Sequence, residues 1–249
     1  MKKNNLVLFC IGCILFLAGC TKNDAAIYTA PKDFRATGSS AKDILSAQTY
    51  AILKIDIKYM PGFALDAATI NNVTAFLNTY VNKGGGIFIT QQQIAASGKT
   101  SLTINEIIAI EKDTRTTITD VNQLAINVLI TDGAYSTPNV LGIAYYNTSM
   151  CLFGKTINDN SGAVGQTSRV KLQTTVMEHE LGHLMGLVDI GSPMQTPHKD
   201  AANGNHCNNT GCLMYYKSET TDILGFLITG AIPTFDANCM ADLKANGGK

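Results

Sequence analysis

The chain has 249 residues, 45% hydrophobic and 15% charged, enough apolar material for a sizeable core and too little charge for wholesale disorder. Its 19 basic and 19 acidic side chains cancel. That balance leaves no basic footprint for nucleic acid, and no nucleic-acid partner is expected.

At the N-terminus Lys2-Lys3 precede a short apolar run from Leu6 to Leu17, followed by Ala18-Gly19-Cys20. The run is too short for a comfortable membrane span and reads as a leader. The small residues before the cysteine resemble a bacterial lipoprotein signal. That resemblance implies cleavage after residue 19, lipid on the Cys20 thiol, and a membrane partner through that anchor. It also implies localisation in the bacterial cell envelope, on a periplasmic or surface-exposed face. An uncleaved anchor and an ordinary signal peptide are the alternatives. Residues 20–45 are polar and mixed, with Pro31, Gly38, Ser39 and Ser40, and predict a lipidated tether.

The alternation in Tyr50 to Met60 predicts a strand, broken by Pro61-Gly62. Ile70, Val73, Phe76, Leu77, Tyr80 and Val81 recur at helical spacing within 66–81, and Gly84-Gly85-Gly86 ends that helix. Ile87-Phe88-Ile89 begins a second strand. Residues 103–115 read as a helix and Ala125 to Thr131 as a third strand. Val140 to Tyr146 and Met150 to Ile157 read as two more, joined at Asn147-Thr148-Ser149. An amphipathic helix follows from Val170 to Met185. No repeat and no second apolar pattern is evident, so residues 46–249 predict one α/β (α+β) domain.

The chain has four histidines, and all lie in one segment: His179, His183, His198 and His206. His179 and His183 are four apart, so both imidazoles leave one helix face. Glu180 projects about 100° from His179, close enough to serve a metal-bound water without occupying a ligand position. Two imidazoles and a third ligand would hold Zn2+ with an open coordination site, and the carboxylate would remove a proton from water. Gly186 lets the chain leave the helix sharply, so that a third ligand can arrive from beyond it. A chance His-Glu-x-x-His on a surface helix is the competing reading.

His179-Glu180-x-x-His183-x-x-Gly186, followed by Cys212-Leu213-Met214-Tyr215-Tyr216, resembles the metzincin zinc proteases. The resemblance implies a single catalytic domain with a twisted, mostly parallel sheet and an antiparallel edge strand. It also implies an active-site helix, Met214 in a turn beneath the metal, and a C-terminal helical subdomain after that turn. Val140 to Tyr145 resembles the edge strand along which an extended substrate lies; an ordinary core strand is the alternative. Asp189 stands where the common third histidine would be. His206-Cys207-x-x-x-x-Cys212-x-Met214 is similar instead to archaemetzincins, and the long segment before Cys-Leu-Met-Tyr resembles lipoprotein metalloproteases predicted in Bacteroidetes-type bacteria. The third ligand is therefore expected to be His206, with Asp189 the alternative and His198 the next. With His206 as ligand, Asp189 and Asp200 could orient an imidazole. Tyr216 is a candidate hydrogen-bond donor to the oxyanion, or a packing residue.

Cys10 and Cys13 leave with the leader, so Cys151, Cys207, Cys212 and Cys239 remain beyond Cys20. An even number in an oxidising compartment predicts two disulfides, Cys207–Cys212 and Cys151–Cys239 being the expected pairing of three. A second zinc on all four thiolates is the rival. The expected activity is zinc-dependent endopeptidase action on a peptide or protein substrate, with Glu180 as general base and acid. A binding or adhesion module that keeps the fold, and a zinc amidase acting on cell-wall peptides, are the alternatives.

Overall fold

The structure is a computed structural model and describes residues 32–249. The leader and Cys20 lie outside the described residues. Five strands form the main sheet: β1 (Ile52–Tyr59), β2 (Ile87–Gln93), β4 (Gln123–Ile130), β6 (Gly142–Tyr146) and β7 (Ser149–Leu152), in the order β2-β1-β4-β7-β6. The pairs β1·β2, β1·β4 and β4·β7 are parallel, and β6 joins β7 antiparallel at one edge. A second, two-stranded parallel sheet joins β3 (Ser101–Leu102) to β5 (Ala134–Tyr135).

The helices α1 (Ala41–Leu45), α2 (Ala67–Tyr80) and α3 (Ile104–Thr114) precede the chemistry-bearing segment. α4 (Gly154–Asp159), α5 (Arg169–Leu184), α6 (Leu224–Thr229) and α7 (Ala237–Ala245) are the remaining α-helices among the described residues. Parallel neighbours require crossovers, and α2 and α3 supply the first two. Side chains alternate across the sheet with period two. Val128, Ile130, Met150 and Leu152 therefore join the larger core, with Val73 and Leu77 of α2 and Leu172, Val176 and Leu181 of α5. Leu129 and Cys151 face the other way, into a smaller core with Leu102 of β3 and Ile107 of α3.

The mixed α/β fold, the mostly parallel sheet and the antiparallel edge strand are as the sequence predicts. Three local expectations are corrected. The last strand stops at Leu152, and Gly154–Asp159 is helical instead. α5 is not amphipathic in its setting: every residue from Leu172 to Leu184 is buried, Gln173, Thr174 and Thr175 included, because α2, strands β6 and β7 and the turn at Tyr216–Glu219 all pack against it. Residues 33–45 are packed into the domain rather than forming a tether. Asp33 is buried 3.3 Å from Arg115, which also pairs with Glu111 at 2.8 Å. Asn147 Nδ2 donates to the Lys32 carbonyl at 2.6 Å, and Ile44 and Leu45 belong to the larger core. Composition shows the polarity of this segment, not the buried partners that absorb it.

Candidate metal centre

Ser168 caps α5, its hydroxyl accepting the Lys171 N–H. The helix carries His179, Glu180 and His183 into the interior and ends at Leu184, capped by Met185 and followed by Gly186, whose φ of 82° is the left-handed conformation that glycine adopts without strain. Added bulk there would press on Ala41. Beyond Gly186 the chain makes a long loop and returns through an antiparallel bridge between Lys199 and Cys207, and this return places His206 opposite the helix.

The three imidazoles converge. His179 Nε2 and His183 Nε2 are 3.1 Å apart, and the His206 ring lies 5.4 and 5.0 Å from theirs, centroid to centroid. Each Nδ1 meets a backbone carbonyl: His179 that of Leu213 at 2.8 Å, His183 that of Leu187 at 3.2 Å, and His206 that of Asn203 at 2.6 Å. An Nδ1–H···O=C bond leaves the Nε2 lone pair free, the arrangement by which proteins orient metal-ligating histidines. His206 Nε2 is buried without a hydrogen-bond partner, an orphan that a metal would satisfy. Burial first, and then the neighbouring imidazoles His179 and His206, push the pKa of His183 down to about 3, so it is neutral, the form that binds metal. Burial opposes charge on His206 too, but the Glu219 carboxylate outweighs it and the pKa rises.

Glu219 completes the set. Its carboxylate lies with the three Nε2 atoms in one group of possible ligand atoms, all within 4.8 Å of one another. It enters from a 3-10 turn, Tyr216–Glu219, pinned to the edge of the sheet where its carbonyl accepts the Leu141 N–H at 2.8 Å. Burial works against its ionisation, but His179 and His206 more than compensate and hold its pKa low.

Glu180 is fully buried, and neither carboxylate oxygen has a hydrogen-bond partner. Burial and then the charge of Glu219 push its pKa up, with partial opposition from the nearby Ala144 N–H. A partnerless buried carboxyl is costly unless used. Gly142 makes room for it: a Cβ there would lie 2.6 Å from Val176 and 2.8 Å from Glu180 Oε1. A cavity of about 300 Å3 opens beside this group, lined by Ile143 and Ala144 of β6, by His183, His206 and Glu219, and by Thr37, Ile190 and Asn205. Three converging imidazoles, an open side and an adjacent carboxylate therefore fit zinc-type chemistry.

Met214 lies beneath α5. The turn is closed by Tyr215 N–H to the Cys212 carbonyl at 3.0 Å, and Cys207 N–H donates to the Met214 carbonyl at 2.8 Å. A Cβ on Gly182 would collide with Met214 Sδ, so that glycine is what lets the turn approach the helix. Asp189 is exposed, with φ 61°, and stands outside the converging group. His198 is also elsewhere, its Nε2 3.6 Å from Cys239 Sγ and 3.5 Å from Asp242. Tyr216 packs on Tyr215 with ring centroids 4.7 Å apart and is not among the residues lining the cavity. Glu219, Gly142 and Gly182 are not marked by any spacing in the sequence. An acidic residue five positions past Met214 looks like any surface carboxylate until the turn folds back.

The disulfide expectation is corrected: Cys151, Cys207, Cys212 and Cys239 are all free. Cys151 sits in the smaller core with Leu129 and Phe153, so neither a Cys151–Cys239 bridge nor a four-thiolate site can form. Cys207, Cys212, Cys239 and Asp236 instead form a second group of possible ligands within 4.8 Å of one another. Cys212 Sγ accepts the N–H groups of Met214 and Asp236, each at 3.4 Å. Hydrogen bonds from Cys207 and Cys239, with those amides, lower the Cys212 pKa, while the same contacts with Cys212 raise those of Cys207 and Cys239. Such donors favour a thiolate, the form that binds metal.

No protein-family model matches the sequence, and no curated protein matches it. Among solved structures, the fold is similar to archaemetzincin from Methanopyrus kandleri, with TM-score 0.52 and 13% identity over 79% of this chain and 96% of that one. A metalloproteinase-II from Bacteroides fragilis aligns with TM-score 0.45 and 14% identity, over 90% of this chain and 60% of that one. The chain thus has an archaemetzincin-like fold.

Proposed function

We propose that the protein is a zinc-dependent endopeptidase in which His179, His183 and His206 hold the ion. The observation that carries this is the convergence of three Nε2 atoms, each fixed by a carbonyl on its Nδ1, beside the partnerless carboxyl of Glu180. When bound, the ion would supply Lewis acidity to the scissile carbonyl and lower the pKa of water. Glu180 would take a proton from water held in the cavity and give it to the leaving amine. An extended substrate adds to the open edge of β6 by main-chain hydrogen bonds, which brings its carbonyl past Ile143 and Ala144 into the cavity. Met214 supports the site from below, and the Leu213 carbonyl next to it fixes the His179 tautomer. Lipid on Cys20 would hold the domain at the cell envelope.

The second cluster supports a second ion on Cys207, Cys212, Cys239 and Asp236. All three cysteines are buried and a fourth ligand is present, which is the closed set of a structural site.

The test is cleavage of a quenched peptide library. The zinc-loaded protein is expected to hydrolyse it, and a chelator to abolish turnover until zinc is restored. Glu180→Gln is expected to lose about 10²–10⁴-fold in rate while retaining its zinc. A loaded site without cleavage would leave the binding-module reading, and cleavage confined to peptidoglycan fragments would favour the amidase. Full activity in Glu180→Gln would contradict the mechanism.

A further inference from the structure

Glu219 stands where a metal centre with three histidines keeps its open position. Its Oε2 is 3.6 Å from His179 Nε2 and 3.8 Å from His183 Nε2, and its Oε1 is 3.5 Å from His206 Nε2. These separations are long for charge-assisted hydrogen bonds, which are about 2.7–2.9 Å. They are close to the edge of a tetrahedron, about 3.3 Å for bonds of about 2.0–2.1 Å. With the 3.1 Å between His179 and His183, the four groups surround one common point. His206 Nε2 is buried and has no hydrogen-bond partner, so contacts within the group leave one of its nitrogens unsatisfied.

We propose that Glu219 is a fourth protein ligand of the resting site, a carboxylate cap that substrate must displace. This rests on the reading of the histidine triad as a metal site. The Glu219 side chain is 27% exposed, whereas those of His179, His183 and His206 are 0%, 9% and 11% exposed. The carboxylate is therefore the ligand free to move, and it forms part of the cavity wall. Its backbone stays in place because Leu141 N–H holds its carbonyl, so only the side chain has to swing. In the exchange one carboxylate oxygen leaves and water or the substrate carbonyl enters. The carboxylate remains ionised in the cavity. A strand laid on β6 passes the same opening, which couples capping to occupancy of the groove.

The experiment uses the intact chain loaded with Zn2+ or Co2+, with the histidine site identified by its loss in His179→Ala. Metal affinity is measured by chelator competition, coordination by the visible spectrum of the cobalt form, and access by titration with acetohydroxamate. In Glu219→Gln, metal affinity is expected to fall at least about tenfold, the loss that even a supporting residue of a metal site produces. The cobalt spectrum is expected to change, and acetohydroxamate to bind about tenfold more tightly with its competitor gone. Glu219→Asp keeps the charge but is one methylene short, so it is expected to behave like Glu219→Gln. Wild-type affinity, spectrum and hydroxamate binding in both variants would overturn the cap. So would a Glu219→Asp variant indistinguishable from wild type, because charge alone would then explain the contact. A wild-type chain that binds no metal at the histidine site would overturn the functional reading itself, a different result from either.

Discussion

The histidine group and the cysteine group are neighbours built from one short stretch of chain. His206 belongs to the first and Cys207 to the second. Leu213 fixes His179 through its carbonyl, while the next residue, Met214, donates its N–H to Cys212. Yet the two clusters differ in the way that separates reactive from structural sites. The first offers nitrogen and oxygen and opens onto a cavity of about 300 Å3. The second offers sulfur from three buried cysteines. Soft thiolates in a closed set hold an ion without leaving room for chemistry, whereas imidazoles with one displaceable partner leave a position for substrate. The segment 206–214 is tied at both clusters and so fixes the floor beneath the histidine group.

Substitutions that separate the clusters test this, and the largest effect is expected at His206. His206→Ala should lose metal from the histidine site by more than the 10–100-fold that supporting residues cost, and peptidase activity with it. Asp189→Ala and His198→Ala should keep the histidine site loaded. Metal content and activity measured together would break the comparison if Asp189→Ala lost both. Next in size is Cys239→Ser, aimed at the closed cluster. Binding to the folded state at 1,000 times Kd stabilises by about 4 kcal/mol, and this variant should forfeit most of that in chemical denaturation while the wild type forfeits it only with chelator. Equal stability of wild type with and without metal would mean that the cysteine cluster holds none.

Gly182→Ala probes the joint. The new methyl would collide with Met214 Sδ, and overpacking of this kind costs about 1–3 kcal/mol. Reduced stability together with weakened metal binding at both clusters is expected; a drop at one alone would show that they are not coupled through the turn. The smallest effect belongs far from both. Thr103 and Glu106 form a capping box at the start of α3, and the Thr103 backbone N–H, with Lys99 and the Thr103 hydroxyl, holds the Glu106 pKa down at about 2. A folded pKa below the unfolded value gives stability above the unfolded value, lost as pH falls through the folded one. Glu106→Gln should therefore be less stable than wild type at neutral pH, and the gap should close between about pH 4.5 and 2, without change in either metal content. Denaturation midpoints across that range give the answer.

Local pattern carried much of this architecture. The strands β1 and β4 and the helices α2 and α3 follow from apolar periodicity, and the i, i+4 spacing of His179 and His183 puts two imidazoles on one face of α5 whatever surrounds the helix. His206 was legible only through its neighbour Cys207 and the resemblance that pair carries. No spacing rule links it to His183, because the loop between them folds on contacts with distant residues such as Gly38. Asp189 has the better spacing and the wrong place, since the chain has already turned outward after Gly186. The cysteine pairing failed because parity counts thiols and ignores sheet faces: Cys151 points across the sheet from the cluster it was meant to join. Residues 33–45 read as tether because the partners that neutralise Asp33 and order Asn147 lie up to 115 positions away.

The central claim is that His206, and neither Asp189 nor His198, completes the ligand set with His179 and His183. Anomalous scattering at the zinc edge from crystals of the zinc-loaded chain tests it directly. The account predicts a peak about 2.0–2.1 Å from Nε2 of all three histidines; a peak on His179 and His183 whose third ligand is Asp189 or His198 would contradict it.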